Sequence, residues 1–133
     1  MFDIDSERIR LDRITERIIG CAISVHKGIG PGLLESAYEE WLCYELNQAE
    51  LSFKRQVPLP VTYKGVKLDC GYRMDIIVED LIIIEIKAVQ ALFPIHEAQL
   101  LSYLRLYNKR VGLLMNFHAA VLKNGLKRVA NNF

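Results

Sequence analysis

The sequence predicts an α/β or α+β fold, a mixed β-sheet flanked by helices. Three observations carry this. Two stretches with apolar residues every three or four positions come first, at about 7–27 and 33–49. A β-rich middle follows, and its most apolar part is Leu81-Ile82-Ile83-Ile84-Glu85-Ile86-Lys87-Ala88. A third helical stretch at about 94–107 then leads to another apolar run at 110–117.

Taken in order, Ile14, Ile18, Ala22 and Val25 form the first helix's stripe, with Arg10, Arg13 and Arg17 outside it. Gly28-Ile29-Gly30-Pro31-Gly32 ends that helix. This cluster lacks the preceding strand and the Lys-Ser/Thr of a phosphate-cradling loop, so it reads as a turn between helices. Pro31 suits a first helical turn. In the second helix Leu34, Tyr38, Trp41 and Leu42 mark the buried face, and Glu39, Glu40 and Glu50 the wet one. Pro58 and Pro60 place the next strand at an edge or make it irregular. Lys64-Gly65 reads as a turn, and 66–79 as one long strand interrupted near Gly71. Residues 81–88 form a more buried strand. Pro94 opens the third helix, with Ile95, Ala98/Gln99, Leu101 and Leu104/Leu106 in helical register. A buried strand at 110–117 and a short one at about 126–130 complete the order ααββββαββ.

The 133 residues are 51% apolar and 25% charged, which suits one domain able to bury its own core. That content excludes disorder, and 8 Gly and 4 Pro without tracts exclude collagen-like classes. The longest apolar run, Leu81–Ile84, is far short of the ~20 residues that span a bilayer, so no membrane association is expected. Met1-Phe2-Asp3-Ile4-Asp5 does not open a signal peptide. Cys21, Cys43 and Cys70 are odd in number and widely spaced, which suits a reducing cytoplasm; none has zinc-site spacing. Net charge is +1, but it is uneven: −5 over 1–50, 0 over 51–97 and +6 over 98–133. That asymmetry points to an anionic partner on one face, or to a solvated basic surface.

Chemistry concentrates between Asp75 and Lys87. Residues two apart share a strand face, so Glu85 and Lys87 point the same way from an Ile-rich strand. Such charges are costly to bury unless they are paired or bind a metal. Asp75 sits among apolar residues of the preceding strand. In a hairpin, Asp75 opposes Glu85 only if Val78 opposes Ile82, which leaves Glu79-Asp80-Leu81 as a three-residue loop. A two-residue loop would send the carboxylates to opposite faces unless a bulge intervened. Two carboxylates a strand apart suit a hard cation such as Mg²⁺. A neighbouring Lys suits phosphodiester hydrolysis, by activating water or stabilising the phosphorane. The alternative is a Glu85–Lys87 salt bridge with Asp75 as a polar residue near the turn.

Asp75 followed by Glu85-Ile86-Lys87 resembles the PD-(D/E)xK nuclease superfamily. Gly32-Leu33-Leu34-Glu35-Ser36-Ala37-Tyr38 resembles the GxxExxY signature of a small family within it. Gln99-Leu100-Leu101-Ser102-Tyr103 resembles the QxxxY motif of RecB-like and Cas4-like members. The likeness spans roughly residues 12–130; Met74 stands where the superfamily's name has Pro. It implies that residues 1–133 form one nuclease-like domain with a restriction-endonuclease-like core, a central mixed sheet of four to five strands flanked by helices. It also implies a metal-dependent nuclease, acting on DNA rather than RNA. Asp75 and Glu85 would bind Mg²⁺ or Mn²⁺ with the Ile86 carbonyl, and Glu35 would complete the shell. Lys87 would position or activate water, and Gln99 and Tyr103 would orient Lys87 or touch the phosphate backbone. His26 is a further candidate ligand.

Each role has a plainer counterpart. A carboxylate in a first helical turn, as at Glu35, is favoured by the dipole anyway. His26 suits a helix C-terminal cap. Tyr38 suits the core. Lys64, Lys67, Arg73, Lys109 and Arg110 are candidate contacts to a nucleic-acid backbone, giving affinity without sequence specificity. Trp41, Tyr44, Tyr72, Tyr103 and Tyr107 look scattered rather than arranged for stacking. A non-catalytic binding or scaffolding module on the same fold is the competing function, and a two-fold homodimer the default assembly.

Overall fold

The computed structural model describes residues 4–132. Helices α1 (Ile4–Ile29) and α2 (Glu35–Gln48) come first. Strands β1 (Phe53–Pro58), β2 (Val61–Tyr63), β3 (Val66–Leu68), β4 (Arg73–Val78) and β5 (Ile82–Lys87) follow. Helix α3 (Pro94–Tyr107), β6 (Val111–Asn116) and β7 (Leu126–Ala130) close the chain, with a 3-10 turn at Leu122–Gly125 before β7.

The main sheet has the order β1-β4-β5-β6-β7, and β2 and β3 form a separate hairpin. β5 and β6 run parallel, linked through α3; the other pairs are antiparallel. The sheet is therefore mixed, as the sequence predicts. Its centre is also its most apolar part. β6 is buried at every position and β5 at all but Lys87, as expected of strands covered on both faces.

Two apolar layers enclose the sheet. Ile76, Val78, Ile82, Ile84 and Ile86 pack with Ile14, Ile18, Ala22, Tyr38 and Leu42 of α1 and α2. Ile77, Ile83 and Leu114 pack beneath Leu100, Tyr103 and Leu104 of α3. Each fully buried Ile contributes about 1.5–3 kcal/mol. Helix α3 sits close to the sheet: a Cβ at Gly112 would lie 2.9 Å from Leu100. Glycine there sets the height of α3, and so of Gln99 and Tyr103.

Three local expectations are corrected. The stretch 66–79 is not one strand. The Gly71 N–H bonds Asp69 Oδ1 at 2.9 Å, and Gly71 has φ 80°, so the chain turns there. Val66–Leu68 pairs back on Val61–Tyr63, a strand too short for periodicity to show. Glu39 is buried, not wet, because β1 brings two polar partners to it. Leu34 caps α2 and is 75% exposed. Edge placement of the Pro58 strand holds. Among the described residues no helix is long and apolar enough to cross a membrane, and Cys21, Cys43 and Cys70 are free.

Candidate active site

In the β4–β5 hairpin Val78 pairs with Ile82, Ile77 with Ile83 and Ile76 with Ile84. This register sets Asp75 against Glu85 across a three-residue loop. Glu79 and Asp80 take left-handed φ values of 54° and 53°, a role Gly often fills. The backbone ladder stops after Ile76. There the side chains take over. The Asp75 N–H donates to Glu85 Oε2 at 2.8 Å, and the Ile86 N–H donates to Asp75 Oδ2 at 2.8 Å. Each carboxylate stands in for a backbone carbonyl of its own strand.

Facing also changes at this point. Ile76 packs in the α1/α2 layer, yet Met74, two residues away, packs in the α3 layer. Opposite Asp75 on β1, Gln56 has φ 49° and interrupts the pairs Arg55–Ile76 and Val57–Met74. Non-glycine residues in that region are strained and cluster at functional sites.

Burial dominates the electrostatics. Glu85 is 4% exposed. Burial, and then the charge of Asp75, push its carboxyl up to about 8. Burial also raises Asp75; the Ile86 N–H opposes that rise and the Glu39 charge adds to it. The Lys87 charge lowers both carboxyls, but by less than burial raises them. Two carboxyls that resist ionising together form a site short of positive charge.

Glu39 is the acid that sequence reasoning missed. Its Oε1 accepts a hydrogen bond from Gln56 Nε2 at 2.7 Å, and its Oε2 accepts two from Arg55 at 2.7 and 3.0 Å. Gln56 Nε2 also lies 3.4 Å from Asp75 Oδ1. One amide thus links the α2 acid to the β4 acid. The only signal in the sequence was the four-residue spacing from Glu35, which puts both on one helix face.

A model of the PD-(D/E)XK nuclease superfamily matches residues 12–129. The chain belongs to that superfamily. No curated protein and no solved structure matches it. Members are nucleases in general, act on nucleic acid and typically use divalent metals. The residues here fit such a cation in one respect: a buried Glu85 and a half-buried Asp75 lie side by side, and the Lys87 charge does not offset their burial. Among the described residues no group of three His, Cys, Asp or Glu side chains converges to hold a metal. What the pair does supply is carboxylate oxygen, the donor a hard cation takes.

The nuclease-motif residues fall in three places. Lys87 lines a cavity of about 640 Å³ with Gln99 and Tyr103 of α3 and with Val61 and Tyr72 from around the β2–β3 hairpin. The QxxxY pair and the motif lysine thus share one space. Glu35 is exposed in a neighbouring recess with Ala88 and His118. Tyr38 packs against Phe117, its ring stacked at 4.6 Å. Its hydroxyl donates to the Gly30 carbonyl at 2.6 Å and accepts from the Leu33 N–H at 3.2 Å, which fixes the loop leading to Glu35.

Other expectations do not converge. His26 is buried, and its Nε2 lies 2.7 Å from the Ala119 carbonyl, so it ties α1 to the loop after β6. Lys109 and Arg110 precede β6, whereas Lys87 pairs with Asn116 at its far end. At about 3.3 Å per residue that places them roughly 20 Å from the motif lysine. Lys109 pairs with Asp80 at 3.4 Å, and Arg110 donates to the Asn132 carbonyl at 3.0 Å. Lys64, Lys67 and Arg73 are exposed on or beside the β2–β3 hairpin that walls the cavity. Asn116 was also missed. Its side chain accepts from Val89 N–H at 3.1 Å and donates to Val89 O at 2.9 Å, which pins the chain just beyond Lys87.

Proposed function

We propose that the protein is a metal-dependent nuclease that hydrolyses phosphodiester bonds of DNA, with Asp75 and Glu85 as ligands of Mg²⁺ or Mn²⁺. The carboxylate interlock at the open end of β4–β5 carries this reading, with Lys87 two residues further along the strand. A bound cation would polarise a phosphoryl oxygen and acidify an attacking water. The chain's own groups supply the rest. Asp75 Oδ1 and Glu85 Oε1 are the oxygens left over after the backbone bonds. The Ile86 carbonyl and Glu35 are further ligands, Glu35 directly or through water. The Lys87 ammonium holds the attacking water or the charge that develops on the phosphoryl group, and Gln99 and Tyr103, which line the same cavity, orient it once substrate is bound or touch the phosphate backbone. Attack on phosphorus with departure of the 3′ oxygen leaves a 5′ phosphate. Lys64, Lys67 and Arg73 hold the backbone. Glu35 and Tyr38 support placement in the GxxExxY group, and Gln99 and Tyr103 a RecB-like or Cas4-like kinship.

The test is cleavage of linear, circular and single-stranded DNA and of RNA, in Mg²⁺, Mn²⁺ or EDTA. Metal-dependent cutting that Asp75→Asn and Lys87→Ala both abolish is the expected result. Wild-type protein that binds nucleic acid but cuts none of these substrates in either metal would make the chain a binding module on a nuclease fold.

A further inference from the structure

The cavity beside Lys87 is more than an approach to the carboxylates. Tyr72, from the chain entering β4, and Tyr103 of α3 meet in it edge to face, with centroids 6.1 Å apart. Val61 and Leu106 add apolar wall. Its volume, about 640 Å³, lies within the range of small-molecule sites. Tyr103 is 6% exposed, yet its hydroxyl makes no hydrogen bond among the described residues. The hydroxyl is not one of the buried unpartnered polar atoms, so it opens onto the cavity, where a ligand's polar atom can meet it. The Gln99 amide and Ser102 hydroxyl line the same space and are also without hydrogen bonds among the described residues. Outside, the hairpin carries Lys64 and Lys67, and Arg73 opens β4 beside it, all exposed.

We infer that this cavity receives one unstacked nucleobase of the substrate strand. The inference rests on the nuclease reading for its substrate and names the form in which that substrate is recognised. An aromatic wall offers stacking to the π-face of any base, and the unpaired hydroxyls and amide offer partners to its edge. The basic hairpin holds the phosphates on either side. A base inside an intact duplex is already stacked and paired and cannot enter without flipping. The preferred substrate is therefore a single strand or a frayed end.

The test uses single-stranded DNA oligonucleotides carrying 2-aminopurine, alone and annealed, with the full chain in EDTA so that nothing is cut. Binding of the single strand should quench the 2-aminopurine, with an affinity at least tenfold above that for the blunt duplex. Tyr72→Ala should lose the quench and roughly tenfold in affinity. Tyr72→Phe keeps the ring and should keep both. Equal binding of duplex and single strand, or a Tyr72→Ala protein that binds and quenches like the wild type, would overturn the inference. The readout needs no metal and no turnover. A protein that cuts duplex without using Tyr72 refutes the base pocket alone, and one that quenches single strands through Tyr72 but never cuts refutes the nuclease reading alone.

Discussion

Near its loop, the β4–β5 hairpin pairs Ile77 with Ile83 and Val78 with Ile82; three residues on, the same strands carry Asp75 against Glu85. Both ends lie mostly out of water. At the loop end burial is favourable, because aliphatic side chains meet helices on both faces. At the open end burial is unfavourable, because Glu85 loses its hydration and faces a second carboxyl. Burying an ion carries a penalty of several kcal/mol. A few buried Ile and Val side chains, at about 1.5–3 kcal/mol each, offset it. One end of the hairpin supplies the rigidity that lets the other hold a poorly hydrated acid pair in place.

The sharpest way to separate the ends is to change chemistry at one and packing at the other. Asp75→Asn should abolish detectable cutting, a fall in kcat of at least roughly 10²–10³, with an unchanged circular dichroism spectrum. Asn Oδ1 can still accept the Ile86 N–H, so the fold has little reason to respond. Ile84→Ala should do the reverse. Urea denaturation should show a loss of about 3 kcal/mol, and activity per folded molecule should hold. Equal effects of both variants on activity and stability would erase the distinction between the ends.

Gly112→Ala probes whether α3 must lie so low. The added methyl meets Leu100, so a loss of about 1–3 kcal/mol is expected in thermal melts. Titration with acid and base addresses the pair itself. Glu85 has a folded pKa of about 8, above its ordinary 4.5. The protonated form is thus favoured by folding, and its contribution is full below 4.5 and lost as pH rises through 8. Metal-free protein should lose Tm across that window, and Glu85→Gln should flatten the fall. Mg²⁺ affinity, measured by calorimetry, should rise with pH up to about 8, because the cation displaces a proton. Smallest of all, Glu39→Gln should weaken metal binding about tenfold without abolishing it, since Glu39 reaches Asp75 only through Gln56.

Much of the hairpin was legible in the sequence because period two and loop length together fix register. The requirement that Val78 face Ile82 followed from Asp75 and Glu85 alone. The interruption at Gln56 was not legible. Its left-handed φ has no marker in a run reading Lys-Arg-Gln-Val-Pro. Glu39 was misplaced because helical periodicity separates apolar from polar faces but does not reveal a polar side chain met by Arg55 across the fold. Charge along the chain does not show which bases are already paired within the fold. The basic C-terminal third folds back onto acids: Lys109 onto Asp80, Lys127 onto Glu97 and Arg128 onto Asp12. Tyr72 and Tyr103 looked scattered for a related reason, since 31 residues separate them in sequence and an edge-to-face contact joins them in space.

The bonds that close the open end of β4–β5 also limit what the acids can offer. Asp75 Oδ2 and Glu85 Oε2 each hold a backbone N–H. Glu85 Oε1 is therefore left open and Asp75 Oδ1 meets only the Gln56 amide at 3.4 Å, so the pair presents two lightly held oxygens where it owns four. A cation that prefers bidentate carboxylates and seven or eight neighbours finds a poor host in such a pair. A smaller one, content with single oxygens at octahedral angles and a retinue of waters, finds a good one. Selectivity between calcium and magnesium would then be woven into the hem of the sheet, before any loop or side chain added later has a say.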